Sequence, residues 1–396
     1  MSVRVNILKL IAILGLLSFP ASSLAKSEIN YRQGSFNRQL LYDVFTESDN
    51  QNTLVSPFAL RTALTMALMG TNGETADEIE QALRQYDNGE ADIPDKYKTM
   101  LSKYKSNTNF KMANVICLNH KFRLKESFLQ LLSDKFYSTP LLVDFAQPNQ
   151  AVNAMNRAIE KDTDFTIRNM VERSNLGYNP EALLLSAAAY NGDFALPIPA
   201  EGMQEKPFRV SPTSSVDIPM MKYKGKFDYA LLTKDLLSTA IRIPYKDSDL
   251  SLIVIKPADN VALKRFMRIF HEIDFDLRSL KRKFSETEGY VIMPKFKTEF
   301  QVDLKYFLNK MGMTKFFTTA RFDEMIQQNQ AIHFANVIHK TSIEVKESVA
   351  TAVPYNFAKS LHPQFEIFEA DRPFYYAVVN SNFEPLFEGT FAGMST

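Results

Sequence analysis

Few side chains in this sequence could carry catalytic or metal chemistry. Histidine is the commonest general base and metal ligand, and the chain has five, widely spaced at His120, His271, His333, His339 and His362. None lies in a His-Glu-x-x-His run, and the single cysteine, Cys117, offers no thiolate pair for a metal. No Gly-x-Ser-x-Gly elbow or glycine-rich phosphate loop is present. The residues therefore argue against an enzyme, a metal site and a bound cofactor.

The longest stretch without a regular pattern lies near the C-terminus. Residues 341–347 alternate between polar and apolar types and residues 375–379 are almost wholly apolar, so both segments are predicted to be strands. The segment between them contains Pro354 and Pro363, which exclude a continuous helix. Connections of this length without their own structure are usually functional or disordered. We therefore expect a long exposed loop between two strong strands.

The motifs on and around this loop resemble the end of a serpin. In chain order they are His339-Lys340, Glu347, Ala350-Thr351-Ala352-Val353, Ala370-Asp371-Arg372-Pro373-Phe374 and Leu386-Phe387-Glu388-Gly389. The resemblance implies an α+β fold, with three β-sheets surrounded by about eight or nine helices and an exposed reactive-centre loop. It also implies inhibition of a serine-type endopeptidase, in which the loop is protease bait and enters a sheet after cleavage. The runner-up is an unrelated α+β binding protein.

The resemblance assigns roles to three groups of residues. The hinge, by which the cut loop would enter the sheet, consists of Glu347, Ser348, Val349, Ala350, Thr351, Ala352 and Val353. A lock at the point of insertion would pair Glu347 with Lys295, next to Phe194. A polar cluster beneath the opening strands would consist of Ser56, Ser186 and His339.

The bait peptide bond is expected at Lys359-Ser360. Lysine is long and charged enough to reach an acidic specificity pocket, and a small serine follows it. This choice implies an extracellular, trypsin-like protease as the partner. Counting back from Pro373 by the family's spacing puts the bond nearer Leu361-His362, which would suit a chymotrypsin-like enzyme.

Several positions depart from the family's pattern. Ser186 stands where asparagine is usual, Ala59 where a second serine is usual, and Phe194 where tryptophan is usual. In the hinge, Val349 lacks the backbone freedom of glycine, and Pro354 would delete a ladder hydrogen bond inside a central strand. We therefore expect impaired insertion. A non-inhibitory serpin, acting as a protease substrate, carrier or binding protein, remains the alternative function.

Basic residues are clustered in three places. Lys96, Lys98, Lys103 and Lys105 occupy a region that binds polyanions in some serpins, although a solvated helix face is the simpler interpretation. The other clusters are Lys264-Arg265-Arg268 and Arg278-Lys281-Arg282-Lys283. Nucleic acid is disfavoured as their ligand, because the net charge of the whole chain is only +1.

Residues 1–25 have the features of a secretory signal. Arg4 and Lys9 flank the start, an apolar run follows, and Pro20 ends that run well short of the ~20 residues needed to span a membrane. Removing the segment takes two of the 46 basic residues and none of the 45 acidic ones, so that 44 − 45 leaves a mature charge of −1. We expect a secreted, extracellular monomer that does not bind membranes.

The rest of the chain predicts one serpin domain over residues 26–396. Leu60 to Met69 is apolar on most sides and predicts a buried helix. Residues 182–194 predict a long buried strand, and Ala151 to Lys161 predict a helix, which the resemblance places across the main sheet. Cys117, in an apolar strand-like run, is expected to be a buried, inert thiol.

Overall fold

The computed structural model of the chain describes residues 36–49, 52–83, 93–195, 203–346 and 366–394. Within these ranges the α-helices are α1 (36–47), α2 (Pro57–Leu68), α3 (Gly73–Leu83), α4 (Ile93–Lys105), α5 (Glu126–Leu131), α6 (Pro148–Asp162), α7 (Leu263–Glu272) and α8 (Lys305–Lys310). A π-helical turn at Leu132–Phe136 extends α5, and 3₁₀ turns lie at Arg173–Leu176, Leu277–Arg282 and Lys315–Phe317.

Fourteen strands are interleaved with these helices. In chain order they are β1 (Thr53–Val55), β2 (Phe110–Asn119), β3 (Leu141–Val143), β4 (Ala182–Tyr190), β5 (Met203–Ser211), β6 (Ser214–Leu232), β7 (Ser238–Pro244), β8 (Ser251–Pro257), β9 (Ser285–Pro294), β10 (Phe296–Asp303), β11 (Phe334–Val345), β12 (Glu366–Glu369), β13 (Phe374–Val379) and β14 (Pro385–Phe391). The mixture of helices and largely antiparallel strands agrees with the expected α+β class.

The described strands form two hydrogen-bonded sheets, where the sequence led us to expect three. One has nine strands, in the order β1-β14-β13-β8-β7-β6-β9-β12, with β5 also paired to β6. The reason is the length of β6, which pairs with β5 at its N-terminal end and with β7 at its C-terminal end. Two portions that could be counted as separate sheets are therefore joined through the same continuous strand.

The other sheet has five strands in the order β10-β11-β4-β2-β3. Its central strand β4 is buried along its whole length, because both faces of the sheet are covered. Alternate β4 residues, among them Leu183 and Leu185, pack with Met155 and Ile159 of α6. Leu184, which points the other way, belongs to the main core together with residues of α2. The helix expected to lie across the main sheet is therefore α6, which packs on this five-stranded sheet.

Helix α2 is the buried helix that the apolar run predicted. Ser56 caps its N-terminus, since the Ser56 hydroxyl accepts a hydrogen bond from the Ala59 amide at 3.2 Å. Pro57 follows at the first helical position, where a missing N–H costs nothing. Nearly every α2 residue is buried, so the helix lies inside the molecule, between the five-stranded sheet and β14.

The contact between β1 and β14 depends on Gly389. A Cβ atom on Gly389 would lie 2.4 Å from the backbone oxygen of Thr53, and that oxygen cannot move without breaking the β1–β14 ladder. We expect Gly389→Ala to destabilise the fold by about 1–3 kcal/mol, the usual cost of overpacking a buried site. The midpoint of urea unfolding should fall accordingly. Gln301→Ala, at an exposed position of β10, is the control; equal midpoints for the two variants would contradict the prediction.

Candidate functional site

The described residues include both anchors of the predicted loop. β11 ends at Val345 and β12 begins at Glu366. The hinge residues Glu347 to Val353, Pro354, the Lys359-Ser360 bond and the alternative Leu361-His362 bond all lie outside the described residues. Their roles stay predictions. What the structure gives is the sheet that such a loop would enter, and the polar groups that hold this sheet closed.

The two central strands of the five-stranded sheet pair directly with each other. β11 and β4 run parallel, from Phe334 opposite Ala182 to Ile343 opposite Tyr190, with one register shift between Phe334 and Asn336. No other described strand lies between them. Because the two strands are parallel, a chain that turned back from the end of β11 would run antiparallel to both of them. The geometry of the sheet therefore allows a sixth strand between β11 and β4, once these two separate.

His339 ties these two strands to α2. Its Nε2 accepts a hydrogen bond from the Ser56 backbone N–H at 2.9 Å, and its Nδ1 lies 3.0 Å from the carbonyl oxygen of Ser186. A backbone N–H can only donate and a carbonyl can only accept, so the ring must be the neutral tautomer with its proton on Nδ1. Burial lowers the pKa of His339 to about 4, although the bond to Ser186 partly opposes that shift.

Ser56 joins the cluster to the nine-stranded sheet. Besides capping α2, its hydroxyl donates to the backbone oxygen of Leu386, on β14, at 2.7 Å. A second hydrogen bond to the nine-stranded sheet comes from Thr341 on β11, whose hydroxyl donates to the backbone oxygen of Leu54, on β1, at 2.8 Å. The structure thus brings Ser56, Ser186 and His339 together at a point where β11, β4, α2 and β14 meet.

Asn114 is a member of this cluster that the sequence reasoning missed. It lies on β2 directly opposite Ser186, and its side-chain amide donates to the backbone oxygen of Ala59 at 3.0 Å. The family's usual asparagine is absent at position 186, yet an asparagine side chain is present one strand away. The Ser186 hydroxyl itself forms no hydrogen bond with any described residue. A polar amide within the apolar run of β2 was the signal that could have indicated it.

Of the three predicted lock residues, Phe194 and Lys295 are described and Glu347 is not. Phe194 follows β4 and stacks on Tyr245, with ring centroids 4.9 Å apart and an interplanar angle of 16°. It is buried, so phenylalanine fills an aromatic position there despite the missing tryptophan. Lys295 lies between β9 and β10, and its backbone N–H donates to Pro219 O at 3.0 Å.

The C-terminal anchor of the loop is fixed by charged side chains. On β12, Glu369 pairs with Lys206 of β5 at 2.6 Å. Two residues later, Asp371 pairs with Arg209 at 3.1 Å and accepts the Arg209 backbone N–H at 2.8 Å. These contacts add to the pairing of β12 with β9, which extends over four residues. The chain after the loop is therefore held to the sheet by more than a short edge strand.

The lysines of α4 do not form one stripe. At 100° per residue, Lys96 and Lys103 fall on one side of the exposed face of the helix, and Lys98 and Lys105 on the other. All four are exposed, and Lys105 lies over the Tyr137 ring at 4.2 Å. Uncharged residues such as Thr99 and Ser102 occupy the face between the two pairs. This arrangement favours the simpler interpretation, a solvated helix face.

The described residues hold no ready metal site, and their one cysteine is buried. No cluster of three or more histidine, cysteine, aspartate or glutamate side chains there could hold a metal ion. Cys117 is buried, and burial raises the pKa of its thiol far above the ordinary value, which keeps it inert. In the described part of the chain, no helix is both long and apolar enough to cross a bilayer.

The buried His339 should make the stability of the closed sheet depend on pH. The unfolded histidine takes up a proton near pH 6.5, whereas the folded one stays neutral down to about pH 4. The stabilisation is therefore complete above pH 6.5 and is lost as the pH falls towards 4, by on the order of 3 kcal/mol in all. Urea midpoints measured from pH 7.5 to 5 should fall more steeply for the native chain than for His339→Gln, which retains a donor and an acceptor without titrating.

Two comparisons isolate the effect of His339. Gln301→Ala, at an exposed position with no titratable group, should leave the slope of midpoint against pH unchanged. Burial also raises the pKa of Glu388, which gives a slope of opposite sign, but this residue is present in every variant. Identical slopes for the native chain and His339→Gln would contradict the assignment.

Comparisons with known proteins agree with this geometry. A family model described as Serpin (serine protease inhibitor) matches residues 32–393. Serpin B3 of Homo sapiens is 27% identical over 385 residues, covering 90% of this chain and 98% of that protein. Antitrypsin of Bombyx mori is 25% identical over 353 residues, covering 87% of this chain and 89% of that protein.

The fold has close counterparts among solved structures. The crystal structure of Serpin48, a serpin of the insect Tenebrio molitor, aligns with a TM-score of 0.82, covering 96% of this chain and 100% of that chain at 24% identity. At that identity the likeness shows the fold alone, and it confirms the serpin fold expected from the sequence. Because the family model spans most of the sequence, the chain belongs to the serpin family.

Proposed function

We propose that this chain is a secreted, monomeric serpin that inhibits an extracellular serine endopeptidase, preferably a trypsin-like one, through the loop between β11 and β12. In this proposal residues 1–25 are removed and residues 26–396 form the inhibitor. The loop presents a cleavable peptide bond, and the protease performs the cleavage. Membership of a family described as serine protease inhibitors supports the proposal.

The observation that carries the proposal is the direct parallel pairing of β4 with β11. Parallel ladders have slanted hydrogen bonds and are slightly less stable per residue than antiparallel ones. An inserted strand would replace this one parallel ladder by two antiparallel ladders. In this proposal the closed five-stranded sheet has a higher free energy than the sheet with the inserted strand. This difference drives insertion once the loop has been cut.

A second supporting feature is the asymmetry between the two anchors of the loop. On the N-terminal side, β11 continues directly into the predicted hinge, and β11 is the strand beside which insertion would occur. On the C-terminal side, ion pairs through Glu369 and Asp371 hold the chain to β5. Cleavage in between would leave the second anchor in place and free the first segment to move.

The preference for a trypsin-like protease depends on Lys359. A lysine side chain can present its ammonium group to an acidic specificity pocket. Among the relatives, the protein from Bombyx mori bears the name antitrypsin. The alternative bond at Leu361-His362 would instead direct the inhibitor to a chymotrypsin-like protease.

A non-inhibitory serpin is the second candidate, and the register of β11 makes the reason specific. If the inserting strand turns at Lys346 and Glu347, Ser348 comes level with Val345. Pro354, about six residues later, then comes level with His339, at the centre of the polar cluster. Proline cannot donate to either neighbouring strand, and each unpaired buried carbonyl costs about 1–3 kcal/mol. Slow insertion would let the protease complete hydrolysis and leave.

A panel of proteases tests the proposal. The mature chain is incubated with trypsin-like and chymotrypsin-like enzymes, and the products are separated on a denaturing gel. We expect an SDS-stable complex with at least one trypsin-like enzyme, and mass spectrometry of the released peptide should locate the cut after Lys359. A cut after Leu361 would support the chymotrypsin-like alternative. Cleavage without a complex, and without a large rise in melting temperature, would support the non-inhibitory candidate.

Hinge variants test why insertion should be slow. Val349→Gly combined with Pro354→Ala restores backbone freedom and a ladder donor, so we expect the ratio of stable complex to cleaved product to rise by about tenfold, the equivalent of about 1.4 kcal/mol. Gln364→Ala, which lies beyond both candidate bonds, is the matched control. An unchanged ratio in the hinge variant would show that these two residues do not limit insertion.

A further inference from the structure

Glu181 lies at one end of the five-stranded sheet, directly before β4. Its side chain is only 16% exposed, and each of its two carboxylate oxygens has a basic partner. Oε1 pairs with Lys121, two residues beyond the end of β2, at 3.1 Å. Oε2 pairs with Nδ1 of His333, the residue before β11, at 3.0 Å. One carboxylate therefore contacts the chain on both sides of β4.

The contact between Glu181 and His333 has two parts. Besides the ion pair with the ring, the His333 backbone N–H donates a hydrogen bond to the same Oε2, at 3.3 Å. This hydrogen bond does not depend on the charge of the imidazole ring, because the donor is an amide. The two residues thus stay in contact in either charge state of the histidine.

The two residues are held to different parts of the sheet. The Glu181 backbone oxygen accepts a hydrogen bond from the Asn119 backbone N–H, at the end of β2, at 2.9 Å. On the other side, Ile332 is buried and its backbone N–H donates to Ala320 O at 3.0 Å, which fixes the chain just before His333. Glu181 therefore belongs with β4 and β2, and His333 belongs with β11. Their contact crosses from one side to the other.

The regular pairing of β4 with β11 is interrupted beside this contact. The register shifts between Phe334 and Asn336, whereas from Asn336 to Ile343 the pairing is continuous. A shift of this kind disrupts the ladder of hydrogen bonds locally. The side chain of Glu181 therefore joins the two strands at the end where their backbone ladder is irregular.

We propose that Glu181 and His333 form a clamp across β4 and β11, at the end remote from the loop, which must open before a strand can be inserted along the whole sheet. The role of this clamp depends on the proposed function, in which a strand enters between β4 and β11. Neighbouring strands lie about 4.7–4.9 Å apart, so an inserted strand would add about 4.8 Å to the separation of Glu181 and His333. A glutamate whose other oxygen remains on Lys121 cannot span this increase, and both contacts of Oε2 would be lost.

The clamp acts on the last part of insertion. The loop leaves β11 after Val345, whereas His333 lies before the opposite end of this strand, which is 12 residues and roughly 40 Å long. In the register used above for Pro354, Lys359 comes level with about the first residue of β11. A loop cut after Lys359 would therefore meet the clamp only with its final residues.

Hydrogen exchange of the intact, uncleaved chain tests the clamp without a protease. In Glu181→Ala, amides in the first residues of β4 and β11 should exchange about fivefold faster than in the native chain, since a hydrogen bond to a charged group is lost. Amides at the other end of both strands should be unchanged. His333→Ala should have a smaller effect in the same place, because it keeps the backbone N–H. Lys121→Met is the matched control, because it removes an ion pair of the same carboxylate that does not cross from β4 to β11.

The position of the faster exchange distinguishes the clamp from a general loss of stability. A variant that loosened the whole fold would exchange faster along the full length of both strands. That result, equal acceleration in Lys121→Met, or no acceleration in Glu181→Ala would overturn the proposal. Glu324→Ala, which removes a carboxylate from an exposed ion pair with Lys125, controls for the change in net charge and should exchange like the native chain.

The effect on insertion is measured separately, with the trypsin-like enzymes of the protease panel. Glu181→Ala should raise the ratio of stable complex to cleaved product about fivefold, because the final step of insertion no longer has to break the clamp. Lys121→Met should leave the ratio unchanged. An unchanged ratio in Glu181→Ala would overturn the role of the clamp in insertion. If no variant formed a complex, the proposed function would fail, whereas the exchange experiment would still decide whether the clamp exists.

Discussion

The direct pairing of β4 with β11 is the contact on which the rest of this structure depends. These parallel strands are central to the five-stranded sheet, and the predicted loop follows β11 almost at once. Covering elements determine how firmly the pair is closed. α6 packs on one face and α2 on the other, so the strands cannot separate without disturbing both. Separation of β4 from β11 is therefore opposed by the packing around the pair as well as by its own hydrogen bonds.

His339 adds polar contacts to this packing through one side chain. Its ring joins β11 to the Ser186 carbonyl on β4 and to the Ser56 amide at the start of α2. Both bonds require the same neutral tautomer, and a proton on Nε2 would set two donors against each other. A buried polar group of this kind must keep its partners, since an unpaired one costs more than a bond gains. The cluster thus favours a single closed arrangement of the strands.

The polar cluster contains an asparagine side chain, but on a different strand from the family's usual one. The chain has serine at position 186, but the asparagine opposite it on β2 supplies an amide that reaches α2. The amide hydrogen-bonds the oxygen of Ala59, the position where the family usually has a second serine. Two departures that seemed independent in the sequence therefore meet at one contact. At the lock, Phe194 similarly remains a buried, stacked aromatic residue although its type has changed.

The sequence alone determined the local features of this protein. Local apolar patterns predicted the buried helix α2 and the helix α6, since both depend on residues a few positions apart, whereas the place of α6 across the sheet came from the resemblance. The ordered motifs from His339 to Gly389 were sufficient to predict the family. The missing catalytic motifs pointed away from an enzyme for the same reason, because each motif is a short run of residues.

Only the tertiary structure decided which distant residues meet. Asn114 lies opposite Ser186 because β2 and β4 pair in one particular register, and no local pattern fixes the register between strands so far apart in sequence. The tautomer of His339 likewise depends on partners from α2 and β4. The joining of two expected sheets into one depends on β6 having different neighbours at its two ends. In each case the deciding contact is between segments that packing, and not sequence proximity, brings together.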